Sequence, residues 1–142
     1  MTPPGRWIAI DYGRKRIGLA VCDALGITTR PLAVLRSTTL EEDLQAIARW
    51  CKDEQVAGVV IGVPVQLDGE VGRAANEVRL FAAVLRERLG LQVEEVDERL
   101  TTKGAHALLK EAGHRHARRK AKLDSTAAML ILRSWLDARK RA

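Results

Sequence analysis

The stretch Val56-Ala-Gly-Val-Val-Ile-Gly-Val63 constrains this chain more than any other. It is almost wholly apolar and rich in β-branched residues, without polar alternation, so the strand it forms is buried on both faces. Such a strand lies inside a sheet that helices cover from either side. Gly62 and Pro64 end it. Upstream, Thr39 and Glu42 form a capping box that opens a helix to about Gln55, with Leu40, Leu44, Ile47 and Cys51 at helical spacing. Downstream, Gln66 to Gly72 is a polar, glycine-bearing loop. Arg73 to Leu89 then reads as a helix with Val78, Phe81, Ala82 and Leu85 on one face, stopped by Gly90.

The remaining elements follow from the same periodicities. Trp7 to Asp11 and Ile17 to Cys22 are strands around the turn Gly13–Arg16, and so form a hairpin. Within Thr28–Leu35 a third strand covers Leu32 to Leu35, and Pro31 confines its start to an edge or strand end. Leu91 to Glu98 is a strand with Leu91, Val93 and Val96 inward. Thr101 or Thr102 caps a short helix, Lys103 to Ala112, closed by Gly113. His114 to Lys122 is a basic segment with almost no apolar content. Asp124 or Ser125 caps a last helix to about Lys140, whose apolar face is Ala127, Ala128, Ile131, Leu132 and Trp135. Five strands alternating with helices after a leading hairpin predict an α/β fold, a mixed five-stranded sheet flanked by helices on both faces. A length of 142 residues suits one domain, 1–142.

No apolar run approaches the roughly 18 residues of a membrane span, and Met1 to Arg6 lacks the apolar stretch of a signal peptide. Cys22 and Cys51 have no zinc or redox spacing, which predicts buried, reduced thiols in a cytosolic protein. From residue 103 onward there are 11 Lys or Arg against 3 acids, whereas the first 102 residues hold 13 against 15. Positive charge concentrated in this way is the footprint of a nucleic-acid binder.

Three carboxylates stand at element ends. Asp11 follows an apolar strand, Glu98 ends the last strand after Asp97, and Asp124 lies at the start of the last helix. Ligand sites of open α/β sheets lie at the carboxyl ends of parallel strands, where Asp11 and Glu98 fall if their strands are parallel. Each also has a plainer reading: an Asp-x-Gly turn, a surface salt bridge, a helix cap. Three converging carboxylates suit metal-assisted phosphodiester hydrolysis with Mg²⁺ or Mn²⁺, in which two ions roughly 3.5–4 Å apart activate water and stabilise the leaving oxygen. Lys15, Arg16, Arg99, Arg115, Arg118, Arg119, Lys120 and Lys122 then position phosphates. His106, His114 and His116 form no zinc-like set.

The segments Ala9-Ile-Asp-Tyr-Gly-Arg-Lys-Arg-Ile-Gly-Leu-Ala-Val-Cys-Asp23, Val60-Ile-Gly-Val-Pro-Val-Gln-Leu-Asp-Gly69, Asp97-Glu-Arg-Leu-Thr-Thr102 and Lys122-Leu-Asp-Ser-Thr-Ala-Ala128 resemble, in order, the four motifs of the YqgF/RuvX family. The resemblance implies a ribonuclease H-like fold close to RuvC-type resolvases. It also implies a nuclease for the 5′ end of pre-16S ribosomal RNA in the ribosomal precursor particle or, in some members, a Holliday junction resolvase. The family's carboxylates map onto Asp11, Glu98 and Asp124. Where the related resolvases commonly show a fourth acid, this chain has Lys120 and Ala121.

Two other functions compete. Asp11-x-Gly13 with Gly18 is similar to the first phosphate loop of actin-like ATP-binding proteins, but those close two domains over the nucleotide. A non-catalytic RNA or ribosome binder would have no need of Glu98. Its stacking surface would be poor, with Trp7, Trp50, Trp135, Tyr12 and Phe81 as the aromatic residues. A resolvase should be a twofold homodimer, whereas an RNA-trimming enzyme can act as a monomer. Trp135 could pack inside the chain or across such a dimer.

Overall fold

Eight elements follow one another in the computed structural model: β1 (Arg6–Tyr12), β2 (Arg16–Cys22), β3 (Thr29–Arg36), α1 (Leu40–Asp53), β4 (Val56–Val63), α2 (Arg73–Leu89), β5 (Gln92–Asp97) and α3 (Arg118–Arg141). The described residues are 5–64, 72–98 and 118–141, with only the backbone described at 118–125 and 140–141. The expected short helix Lys103–Ala112, the histidines and most of the Gln66–Gly72 loop lie outside them.

The strands form one five-stranded sheet in the order β3-β2-β1-β4-β5. β1 pairs antiparallel with β2, and β2 with β3. β1 and β4 are parallel, as are β4 and β5. β4 therefore has a partner on either side, as its unbroken apolar run requires. Pro31 lies in edge strand β3 beside a register shift, opposite Ala20, where its missing N–H is tolerated. The strand extends from Thr29, three residues earlier than the apolar run Leu32–Leu35 alone indicates.

Strand alternation divides the core. Ile8, Ile10, Ile17, Leu19, Val21, Val59 and Ile61 pack with Leu44 and Ile47 of α1 and with Val78, Phe81, Ala82 and Leu85 of α2. Trp7, Ala9, Cys22 and Val60 pack on the opposite face with Ile131, Leu132, Trp135 and Leu136 of α3. β5 serves both faces: Val93 joins the first cluster and Val96 the second. The common inward face expected for these two is thereby corrected, because residues an odd number apart on a strand point opposite ways.

Thr39 caps α1 as expected, its side-chain oxygen accepting from the Glu42 N–H at 3.1 Å. The Glu42 carboxylate bonds the Thr38 hydroxyl at 2.6 Å. Gly90 closes α2 at φ 65°, a conformation that favours glycine. The expected start of the last helix is overturned, because α3 already begins at Arg118. Arg118 to Leu123 are strong helix formers without a glycine or proline, so they prolong the helix and leave Asp124 within it rather than capping it. Trp135 lies inside the fold, its ring 4.4 Å from that of Trp7.

Both cysteines are free and buried. Burial pushes the Cys51 thiol up to about 11 and holds Cys22 above its ordinary 9.0. The native protein should resist alkylation by iodoacetamide at pH 8 and take up two equivalents in urea, as read by intact mass. Stoichiometric native labelling would contradict this burial. Among the described residues no helix is long and apolar enough to cross a membrane.

Candidate active site

The parallel strands β1, β4 and β5 carry their carboxyl ends to one edge of the sheet. Ile10 pairs with Ile61, so Asp11 and Gly62 are the next residues along β1 and β4. Gly62 in turn pairs with Val96, two residues before Glu98. Asp11 alternates with Trp7 and Ala9, which places it on the α3 face of the sheet.

Glu98 comes to the same place by direct packing. A Cβ on Gly62 would lie 2.9 Å from Glu98 Oε1, 3.0 Å from its Cγ and 2.6 Å from Ile131 Cδ1. The Glu98 side chain thus lies over the Gly62 backbone and beside α3. A glycine inside an otherwise apolar strand is the sequence signal for such an approach. Burial, and then the charge of Asp97, hold the Glu98 carboxyl above the ordinary carboxylate range.

Gly62→Ala tests this packing. The obstructing atoms are side-chain ends, so the fold should survive with a loss of about 1–3 kcal/mol in urea unfolding. Cutting activity should fall about 10²-fold, the typical cost of displacing a reacting group by roughly 1 Å. Unchanged activity would mean that Glu98 need not occupy this position.

The third predicted acid is on α3. Its position precedes Ala128 by four residues and Ile131 by seven. The side chain of Asp124 lies outside the described residues. Among the described residues no group of three metal-binding side chains is gathered.

The basic residues divide. Lys15 and Arg16 line a cleft of about 510 Å³ together with Asp11, Gly13, Arg14, Arg36 and Ser37. Arg118, Arg119, Lys120 and Lys122 belong to the first turns of α3, not to a loop, which corrects the expected basic segment. Arg99 and Arg115 lie outside the described residues. Arg36 and Ser37 had drawn no attention in the sequence. They reach the cleft by the pairing of β3 with β2, which no local motif announces.

Residues 5–138 match the RuvX family, described as Holliday junction resolvase. A protein of Picosynechococcus sp. is 42% identical over 135 residues, covering 95% of this chain and 94% of its own. One of Myxococcus xanthus is 42% identical over 135 residues, covering 95% of this chain and 89% of its own. Both bear the name of a candidate pre-16S rRNA nuclease. Among solved structures, T. thermophilus RuvC in complex with a Holliday junction substrate superposes with a TM-score of 0.65 at 14% identity, covering 97% of each chain. The fowlpox virus Holliday junction resolvase gives 0.54 at 13% identity, covering 94% of this chain and 99% of its own. These two likenesses are of fold. By its sequence match and its sheet, this chain belongs to the RuvX family and has a ribonuclease H-like α/β fold.

Proposed function

We propose that this chain is a divalent-metal-dependent nuclease of structured nucleic acid, processing the 5′ end of pre-16S rRNA. What supports the reading is the register that sets Asp11 beside Gly62 at the carboxyl edge of three parallel strands, together with the packing of Glu98 over that same Gly62. The names of the curated relatives support the RNA substrate.

The donors fit a hard cation. They are oxygen ligands, and the raised Glu98 carboxyl is one whose ionised form a cation would stabilise. Asp11 and Glu98 would hold the ion, with Asp124 as the third ligand. A bound Mg²⁺ or Mn²⁺ supplies activation of water and stabilisation of the leaving oxygen. The chain itself positions the substrate: Lys15 and Arg16 take phosphates on the hairpin side, and Arg99, Arg118, Arg119, Lys120 and Lys122 take others. Cutting of a four-way DNA junction is the second reading, favoured by the likeness to RuvC.

The test incubates wild type and Asp11→Asn with Mg²⁺ or Mn²⁺ and two labelled substrates, a pre-16S rRNA fragment and a four-way DNA junction. Wild type should cut the RNA and Asp11→Asn should not. Cutting of the junction alone selects the second reading. Binding without cutting by either protein would leave a non-catalytic binder.

A further inference from the structure

The cleft beside Asp11 is built from the β1–β2 hairpin and the end of β3. Its walls are fixed. The Gly13 N–H donates to Arg16 O at 3.0 Å, and the Ser37 N–H to Lys15 O at 2.9 Å. A Cβ on Gly13 would lie 2.7 Å from Arg16 O, so the turn has room for no side chain there. Ser37 Oγ donates at 2.6 Å to Asp43, a buried carboxylate in the first turn of α1 that also accepts from the Thr38 N–H. Arg14 is drawn outward into an ion pair with Glu77 of α2 at 2.8 Å.

Within these walls the charge is unbalanced. Arg16 and Arg36 stand directly opposite each other in the β2–β3 ladder. Like charges in that relation destabilise a sheet. Among the described residues, neither guanidinium has a side-chain hydrogen bond or an ion pair, and Arg16 Nη1 is buried without any partner. A buried donor left without a partner is costly. Facing cations, an orphaned donor and a preformed cleft together call for an anion with several acceptor oxygens.

We propose that Arg16 and Arg36 clamp a backbone phosphodiester of the bound strand in this cleft, setting the strand's register beside Asp11. The inference rests on the nucleic-acid reading above and adds Arg36 and the Ser37 wall to it. A planar guanidinium on each side suits two-sided recognition of one phosphate. Arg36, exposed at a strand end, is the residue to change.

Binding of the labelled RNA fragment and of the junction is measured by fluorescence anisotropy in EDTA over a range of salt, for wild type, Arg36→Ala and Arg36→Lys. Arg36→Ala should reduce the slope of log K against log salt by about 0.7–0.9, the loss of one phosphate contact. Arg36→Lys should keep the slope while binding more weakly than wild type. Free Arg36→Ala should melt at or above wild type, because a repulsion is relieved. One neutral methylphosphonate linkage, walked along the strand, should at a single position weaken wild type and leave Arg36→Ala unaffected.

Unchanged slope and affinity in Arg36→Ala, or no such position, overturns the clamp even if wild type cuts. Altered slope without metal-dependent cutting keeps the clamp and rejects the nuclease. Failure of wild type to bind either substrate rejects both.

Discussion

Glu98→Gln should abolish metal-dependent cutting, by about 10³-fold or more, while making the metal-free protein more stable at neutral pH. Both effects have one cause. Burial and then the Asp97 charge raise the Glu98 carboxyl from its ordinary 4.5. The folded state therefore binds this proton more tightly than the unfolded chain does. The cost of the ionised carboxylate is fully present above the folded pKa and is relieved as pH falls through that pKa towards the ordinary value. Glutamine keeps the shape and carries no charge, so its advantage should be widest at neutral and alkaline pH and close on acidification. Melting curves in EDTA across pH measure this. Mg²⁺ should raise the melting temperature of wild type and leave Glu98→Gln unmoved. Identical pH profiles for the two proteins would mean that Glu98 is not strained in the fold.

The second large effect concerns α3. Trp135→Ala should cost about 3–5 kcal/mol in urea unfolding, the range for emptying a buried aromatic site. Its ring packs on Trp7, and the Arg139 guanidinium lies 4.5 Å above it while pairing with Glu94 of β5. Trp7 in turn fills the space over Gly58, where a Cβ would come within 2.4 Å of its ring. Trp135 and Arg139 anchor the carboxyl half of α3 to Trp7 at the start of β1 and to Glu94 of β5. Loosening it should also lower activity, because the same helix carries Asp124. Leu80→Ala, on the exposed face of α2, is the control and should stay within about 0.5 kcal/mol of wild type. A Trp135→Ala variant as stable as that control would contradict this packing.

Much of the fold was legible because burial imposes periodicity. The run Val56–Val63 declared a doubly covered strand, and the stripe Val78, Phe81, Ala82 and Leu85 declared the buried face of α2. β5 was legible as a strand but not in its facing, since an edge strand that sends Val93 and Val96 to opposite cores has no clean alternation. The start of α3 was missed because a favoured capping residue, Asp124, is not a stop signal. The helix formers before it carry the helix back to Arg118. Asp11 and Glu98 were legible as acids out of place at strand ends. That both flank Gly62 depends on the parallel register of β1, β4 and β5, which no local pattern encodes. Arg36 was invisible for the same reason, since its partner Arg16 is chosen by strand pairing.

Calorimetric titration of Mn²⁺ into wild type, Asp11→Asn, Glu98→Gln and Asp124→Asn tests the central claim most directly. Three carboxylates sharing one cation predict binding by wild type and at least a tenfold loss, about 1.4 kcal/mol, in each variant. Wild-type affinity retained in Asp124→Asn would remove Asp124 from the metal site, and affinity retained in all three would place the metal elsewhere.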